Sequence, residues 1–187
     1  GGTVEELPAR RGAMPAPEAL RIAREASEGL ADAEGKKLVH RDIKPGNLLL
    51  EPGGAVKICD LGIAGRIDIE EEESFRGGGS PHYIAPEQAL GRPVDSRADI
   101  YSLGVSLYTM LAGHTPFTGA SSREIARKHV AEPAPPLAAQ GAHIPPGVCD
   151  LVAWMMAKAP ADRPASAAIV RDRLDELLRA LGAGKRR

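Results

Sequence analysis

Asp42, Lys44, Asn47 and Asp60 fall within one short stretch of the chain, residues 38–62, LVHRDIKPGNLLLEPGGAVKICDLG. Their types suit phosphoryl transfer, a reaction that leaves a protein little covalent work and is accelerated mainly by positioning and by neutralising charge. A carboxylate such as Asp42 can orient an attacking hydroxyl and accept its proton. The ammonium of Lys44 can sit against the oxygens of the moving phosphoryl group. Asn47 and Asp60 offer hard oxygen ligands for Mg²⁺, which takes few side chains and relies on phosphates for the rest.

These groups need a scaffold, and the surrounding sequence predicts one. Apolar runs at 48–50 and 56–58 flank Pro52-Gly53-Gly54, the composition of a tight turn between two short strands. Such a hairpin returns the chain so that Asp60 lies near Asn47. Upstream, residues 15–18 mark a helix start, and Leu20, Ala23, Ala26, Ser27, Leu30 and Ala31 recur near one face. The expectation is a core helix ending around Gly35. At the beginning, an extended entry leads to a short helix capped at Thr3, with Glu6 completing a capping box. Residues 96–113 are apolar on several faces, as in a helix buried within a large body, and Asp99 sits near its N-terminus, where the helix dipole favours a carboxylate. A polar helix near 121–130, an apolar helix at 148–158 holding Trp154, and an amphipathic helix at 166–181 complete a mainly α chain. Between hairpin and buried helix, residues 63–80 lack regular pattern and carry Glu70-Glu71-Glu72-Glu73 and Gly77-Gly78-Gly79, which reads as a mobile loop.

His40-Arg41-Asp42 followed by Asn47, then Asp60-Leu61-Gly62, resembles the catalytic loop and magnesium loop of protein kinases. Lys44 within Asp-Ile-Lys-Pro-Gly-Asn resembles the serine/threonine branch, and Ala85-Pro86-Glu87-Gln88 together with the Ala, Gly, Pro and Arg bias is similar to its bacterial members. The resemblance implies the large C-terminal lobe of the kinase fold: a helical bundle with a short β-hairpin at the catalytic loop, spanning residues 1–183, with 184–187 as a basic tail. It implies ATP and Mg²⁺ as cofactors and a protein substrate presenting Ser or Thr. Asp42, Lys44 and Asn47 take the catalytic roles, Lys44, Asn47 and Asp60 bind nucleotide, and Asn47 and Asp60 hold metal. Residues 63–80 match an activation segment, in which Ser80 would contact Asp42 and Lys44. Arg41 would pair with a phosphate on Ser74, the hydroxyl residue between Gly62 and Ser80. Asp99 would accept catalytic-loop amides, and Arg163 would pair with Glu87 to tie the segment to the helical body.

Composition narrows the alternatives. With 43% hydrophobic residues, 26% charged residues and a formal net charge of -1, the chain reads as soluble and globular, without the basic excess of a nucleic-acid binder. No apolar run is long enough to cross a membrane. Cys59 and Cys149 lack metal or redox spacing, so reduced thiols in a cytoplasmic setting are expected. His82, His114, His129 and His143 fall in different segments, where packing or surface roles are expected.

The family also needs a glycine-rich loop, a strand lysine and a helix glutamate ahead of the catalytic loop. Residues 1–39 read as helices, and a small lobe takes about 80 residues from typical element and loop lengths. Ala55-Val56-Lys57-Ile58 mimics the lysine strand but follows the catalytic loop, so Lys57 is rejected for that role. The expectation is therefore a kinase large lobe without its small β-rich lobe, with little turnover alone. The missing lobe, or a partner covering that interface, would complete it; the alternative is a non-catalytic kinase-derived binding module.

Overall fold

A helix that is apolar on every side is stable in water only where neighbours cover it all round. Residues 96–112 meet that condition in the computed structural model of the chain, which describes residues 2–6, 12–59, 80–140 and 144–184. The elements in chain order are β1 (Gly2–Thr3), α1 (Ala16–Gly35), β2 (Leu48–Leu50), β3 (Val56–Ile58), α2 (Pro86–Ala89), α3 (Ser96–Ala112), α4 (Ser122–Ala131), α5 (Pro146–Met155) and α6 (Ala167–Gly184). Single 3₁₀ turns lie at Pro45–Asn47, Pro81–Tyr83, Leu137–Ala139 and Pro160–Asp162. The described chain is thus mainly helical, with one small sheet.

Helix α3 is the central post. Every residue from Ala98 to Leu111 is buried, with α1, α5 and α6 packed against it. Two of its polar side chains bond within the helix: Ser106 Oγ donates to Ser102 O and Thr109 Oγ1 to Val105 O, both at 2.8 Å. The Asp95 carboxylate accepts the Arg97 amide at 2.9 Å and starts the helix. Gly113 ends it at φ 80, where an added Cβ would lie 3.0 Å from the Ala13 nitrogen.

Helix α1 buries Ala19, Leu20, Ile22, Ala23, Ala26, Ser27 and Leu30, a wider stripe than the sequence period outlined. It ends at Gly35, yet the left-handed residue is Lys37 at φ 58. The Lys37 amide bonds Glu34 O and the Leu38 amide bonds Ala33 O, each at 2.9 Å, which is the Schellman pattern of helix termination. The chain then runs directly into the stretch that holds Asp42, Lys44 and Asn47.

Strands β2 and β3 form the expected hairpin in antiparallel register, Leu48 opposite Ile58 and Leu50 opposite Val56. The Gly54 amide donates to Glu51 O at 2.8 Å and Gly54 takes φ 86, so the turn needs its glycine there. Arg21 of α1 donates to the Gly54 carbonyl and pins the turn to the helix. A third strand, β1, pairs with β2 through Gly2 opposite Leu50 and Thr3 opposite Leu49. The entry is therefore part of the sheet, and the Thr3 hydroxyl reaches Glu6 Oε1 at 3.5 Å. The rest of the short helix expected after it lies outside the described residues.

No helix among the described residues is long and apolar enough to cross a membrane. A small second cluster, Ile84, Ala89 and Ala126 with Val130, joins α2 to α4. At the crossing of α3 and α5, an added Cβ on Gly104 would come within 2.8 Å of Met155 Cβ. That atom cannot swing aside, so Gly104→Ala should lower unfolding stability by about 1–3 kcal/mol through overpacking. Urea denaturation of the two proteins, compared at equal m-value, measures it.

Candidate active site

Leu38 and Val39 lead from α1 into a loop whose backbone is held from beneath. Asp99, one turn into α3 and buried, receives the His40 amide on Oδ2 and the Arg41 amide on Oδ1, each at 2.8 Å. Burial pushes the Asp99 carboxyl above the ordinary range, and the two amides oppose that shift because they donate only to an acceptor. Arg41 sits at φ 68, a left-handed conformation that a long side chain rarely adopts, and the Asp99 clamp holds it there. His40 packs under the loop. Its Nδ1 accepts the Asp42 amide at 3.3 Å, so Nε2 carries the proton donated to Cys59 O at 3.0 Å. One imidazole thus links the loop to the strand exit.

With the backbone set, three predicted side chains converge. Asp42 Oδ2 receives both the Lys44 ammonium and the Asn47 amide nitrogen, each at 2.9 Å. Asn47 Nδ2 also donates to the Asp42 carbonyl at 2.8 Å. Two acceptors around one atom identify it as the amide nitrogen, which leaves the amide oxygen of Asn47 as the atom able to take a hard cation. Among the described residues both bonds on the carboxylate fall on one oxygen, so Oδ1 of Asp42 has the capacity to receive a hydroxyl. The Pro45–Asn47 turn places these groups, and Cys59 donates its amide to Asn47 O at 2.9 Å. The hairpin therefore brings the residue before Asp60 against Asn47; Asp60 and Ser74 themselves lie outside the described residues.

Ser80 lines a small cavity with Arg41, Asp42, Tyr83, Ile84 and Ser102. Its hydroxyl, expected against Asp42 and Lys44, is instead hydrogen-bonded to His82 Nδ1 at 3.2 Å. Gln88 has a role that the sequence did not disclose. Buried in α2, it donates Nε2 to the Arg41 carbonyl at 2.9 Å while Oε1 receives the Ala85 amide at 3.3 Å. Its position after Ala-Pro-Glu was visible; its partner needed the fold.

Glu87 and Arg163 meet across 76 residues of sequence in a bidentate pair, with both N···O distances 2.7 Å. The Arg163 side chain is fully buried and all its N–H donors are used, the remaining ones on the carbonyls of Ala157, Arg97 and Lys158. Its guanidinium lies over the Tyr101 ring at 4.8 Å.

Beside it is a polar chain that composition and spacing had left as packing. Tyr101 hydroxyl is bonded to His129 Nδ1 at 2.9 Å, so His129 Nε2 donates to the His82 carbonyl, also at 2.9 Å. Lys158 donates to His129 O at 2.7 Å and lies over the Phe117 ring at 4.8 Å. Desolvation, reinforced by the Lys158 charge, drives the His129 pKa down to about 3; desolvation and the Arg163 charge bring Lys158 down to about 8. Neutral His129 thus fixes the turn between Ser80 and α2.

The family model of the protein kinase domain matches residues 1–174. Similar proteins include serine/threonine-protein kinase PksC of Streptomyces coelicolor, 42% identical over 176 residues, which are 92% of this chain and 32% of that protein. Serine/threonine-protein kinase PknL of Mycobacterium tuberculosis is 40% identical over 168 residues, 89% of this chain and 42% of the relative. PknA of the same organism is 41% identical over 155 residues, 82% and 35% respectively. The chain spans about a third to two fifths of the length of these curated relatives.

Two outcomes follow from the buried polar groups. Glu87→Gln, which strands the Arg163 charge, should lower stability by about 3–5 kcal/mol, and a Glu87→Leu/Arg163→Met double variant should recover part of that loss in denaturant titrations. Stability should also fall as pH drops from about 6.5, where an unfolded histidine protonates, towards about 3, where folded His129 does. The unfolded chain binds the extra proton in that window, so the slope has this sign. Its share is read as the part of the acid slope that His129→Gln abolishes.

Proposed function

The chain belongs to the protein kinase family, in its bacterial serine/threonine branch, and from that premise we propose that it transfers the γ-phosphoryl group of ATP to Ser or Thr hydroxyls of a protein substrate. The observation that carries this reading is the Asp42 carboxylate: one oxygen is tied to Lys44 and Asn47 at 2.9 Å, and the other would orient an acceptor hydroxyl. Lys44 lies beside it to balance charge that develops on the transferred group. Bound Mg²⁺ would supply charge neutralisation across the phosphates. The donor set suits that ion: the Asn47 amide oxygen is oriented by Asp42, and Asp60 follows the bonded Cys59 in sequence. Among the described residues no group of three or more His, Cys, Asp or Glu forms a protein-only metal cage, which is not what Mg²⁺ in such sites requires.

Asp99 and Gln88 act as positioning residues, holding the Arg41 amide and carbonyl respectively. Arg41 stands next to the catalytic carboxylate, and a phosphate on Ser74 would pair with it and order the segment between. Ser80 would exchange its His82 bond for Asp42 and Lys44 when substrate arrives.

A second reading, a binding module, is favoured by one observation: Leu38 and Leu49 beside the hairpin are 47% and 39% exposed. A small lobe or another partner laid over that side would cover them.

The decisive comparison places the chain behind the small lobe of a relative such as PknA and follows transfer of radiolabel from ATP. Labelling should be robust in the chimera, minimal in the chain alone, and reduced about 10²–10⁴-fold by Asp42→Asn, the usual reach of general base catalysis. Equal labelling in wild type and variant would leave only the binding-module reading.

A further inference from the structure

Lys158 follows α5 and is half-buried beside α3 and α4, yet among the described residues it forms no ion pair with a carboxylate. Its ammonium donates to the His129 carbonyl at 2.7 Å, reaches the Tyr101 oxygen at 3.5 Å and lies over the Phe117 ring at 4.8 Å. Glu132 attracts it only at longer range, and Arg163 repels it. An ammonium taken partly out of water without a carboxylate is costly, so these contacts are what hold it. One role is plain. His129 O is among the last carbonyls of α4, where a cation satisfies an orphan acceptor and the helix dipole.

A second role follows from the direction of the bonds. The His82 carbonyl can only accept, so the His129 proton is on Nε2, and Nδ1 accepts the Tyr101 hydroxyl at 2.9 Å. With its proton committed to His129, the Tyr101 oxygen has a lone pair left for Lys158. Every donor in the series therefore points the same way, from the ammonium through Tyr101 and His129 to the His82 carbonyl. Bonds aligned in series polarise one another. The far end of the series lies against the catalytic loop. His82 belongs to the Pro81–Tyr83 turn, which the Tyr83 amide closes on Ser80 O at 3.1 Å, and Ser80 lines the small cavity with Asp42. The His82 ring in turn bonds the Ser80 hydroxyl at 3.2 Å.

We propose that Lys158 is a positioning residue: its positive charge, acting through Tyr101 and His129, holds the His82 carbonyl and so sets where the Ser80 turn sits beside Asp42. That this serves phosphoryl transfer rests on the function proposed above; that it orders the turn does not. The groups around Lys158 leave it as the member of the series that titrates near neutrality. Burial keeps the Tyr101 hydroxyl of α3 protonated and His129 of α4 neutral, and desolvation lowers His82 at the far end. Arg163 is a guanidinium paired with Glu87, Glu132 lies just after α4, and Phe117 carries no charge. Desolvation and the Arg163 charge bring Lys158 itself to about 8, so its hold weakens as pH rises through that value.

The test begins on the 187-residue chain with isotopically labelled histidine, whose ring-nitrogen shifts in NMR report tautomer and bonding. His129 should show a protonated Nε2 and an Nδ1 shift that steps with a midpoint of about 8, that of Lys158. Lys158→Met, which keeps the stem against Phe117 and removes the charge, should abolish the step, and so should Tyr101→Phe. At neutral pH, Lys158→Met should also speed hydrogen exchange at the Tyr83 amide about tenfold, the weight of one charge-assisted bond, with the α1 amides unchanged as the control for folding. In the chimera carrying a small lobe, the same variant should lower kcat/KM about tenfold at neutral pH and erase the wild-type decline centred at about pH 8. A His129 shift without that step overturns the proposal, as does a step that survives in Tyr101→Phe. Unchanged Tyr83 exchange in Lys158→Met overturns it too and leaves Lys158 as a helix cap only. A wild-type chimera without activity counts against the transfer reading, while the shift and exchange results still decide for Lys158. An active chimera whose rate and pH profile ignore Lys158→Met overturns its part in transfer.

Discussion

The catalytic loop has its shape because one buried carboxylate accepts two of its backbone amides. Without Asp99 Oδ1 and Oδ2 beneath them, the His40 and Arg41 N–H groups would be turned into a protein interior with no acceptor, and Arg41 would have no reason to hold φ 68. Each such charge-assisted bond contributes about 1.5–3 kcal/mol, enough to outweigh the strain of a left-handed arginine. The placement of Asp42, Lys44 and Asn47 follows from that backbone. Their bonds to one another refine a geometry already imposed from below.

Asp99 can do this because α3 is enclosed by its neighbours. Buried from Ala98 to Leu111, the helix serves as a fixed reference to which separate parts of the chain are tied. The Arg97 carbonyl receives Arg163, the Tyr101 ring carries the same guanidinium, and the Tyr101 hydroxyl orients His129. Through Arg163 the post reaches Glu87 in α2; through His129 it reaches the His82 carbonyl beside Ser80. Gln88 closes the circuit by returning from α2 to the Arg41 carbonyl. The segment carrying Ser80 is thus positioned by the same helix that holds the loop carrying Asp42, which keeps the two in register.

Parts of this were legible because they depend on local pattern. The apolar runs around Pro52-Gly53-Gly54 predict a hairpin without reference to anything distant, and the spacing of Leu20, Ala23 and Leu30 predicts α1. The meeting of Glu87 with Arg163 was legible for a different reason, since family resemblance supplied a long-range contact that periodicity cannot. What escaped were features whose partners are remote and carry no signature. Thr3 joins a sheet because β2 offers an open edge, and Lys37 rather than Gly35 takes the left-handed position because the helix runs to its last amide before turning. His129, expected only to pack or to lie at the surface, takes its bonded place because Tyr101, the His82 carbonyl and Lys158 enclose it.

By itself the sequence determined which carboxylate, which amide and which ammonium stand within a few residues of one another, and that a mainly helical body surrounds them. Covalent connection guarantees that proximity, so spacing alone suffices. Tertiary structure decided the orientation of those groups, meaning which oxygen of Asp42 Lys44 and Asn47 share, that the amide nitrogen of Asn47 faces Asp42, and that Ser80 bonds His82. Hydrogen-bond direction and desolvation arise from groups brought together across the chain, and their energies exist only once the surrounding core has excluded water.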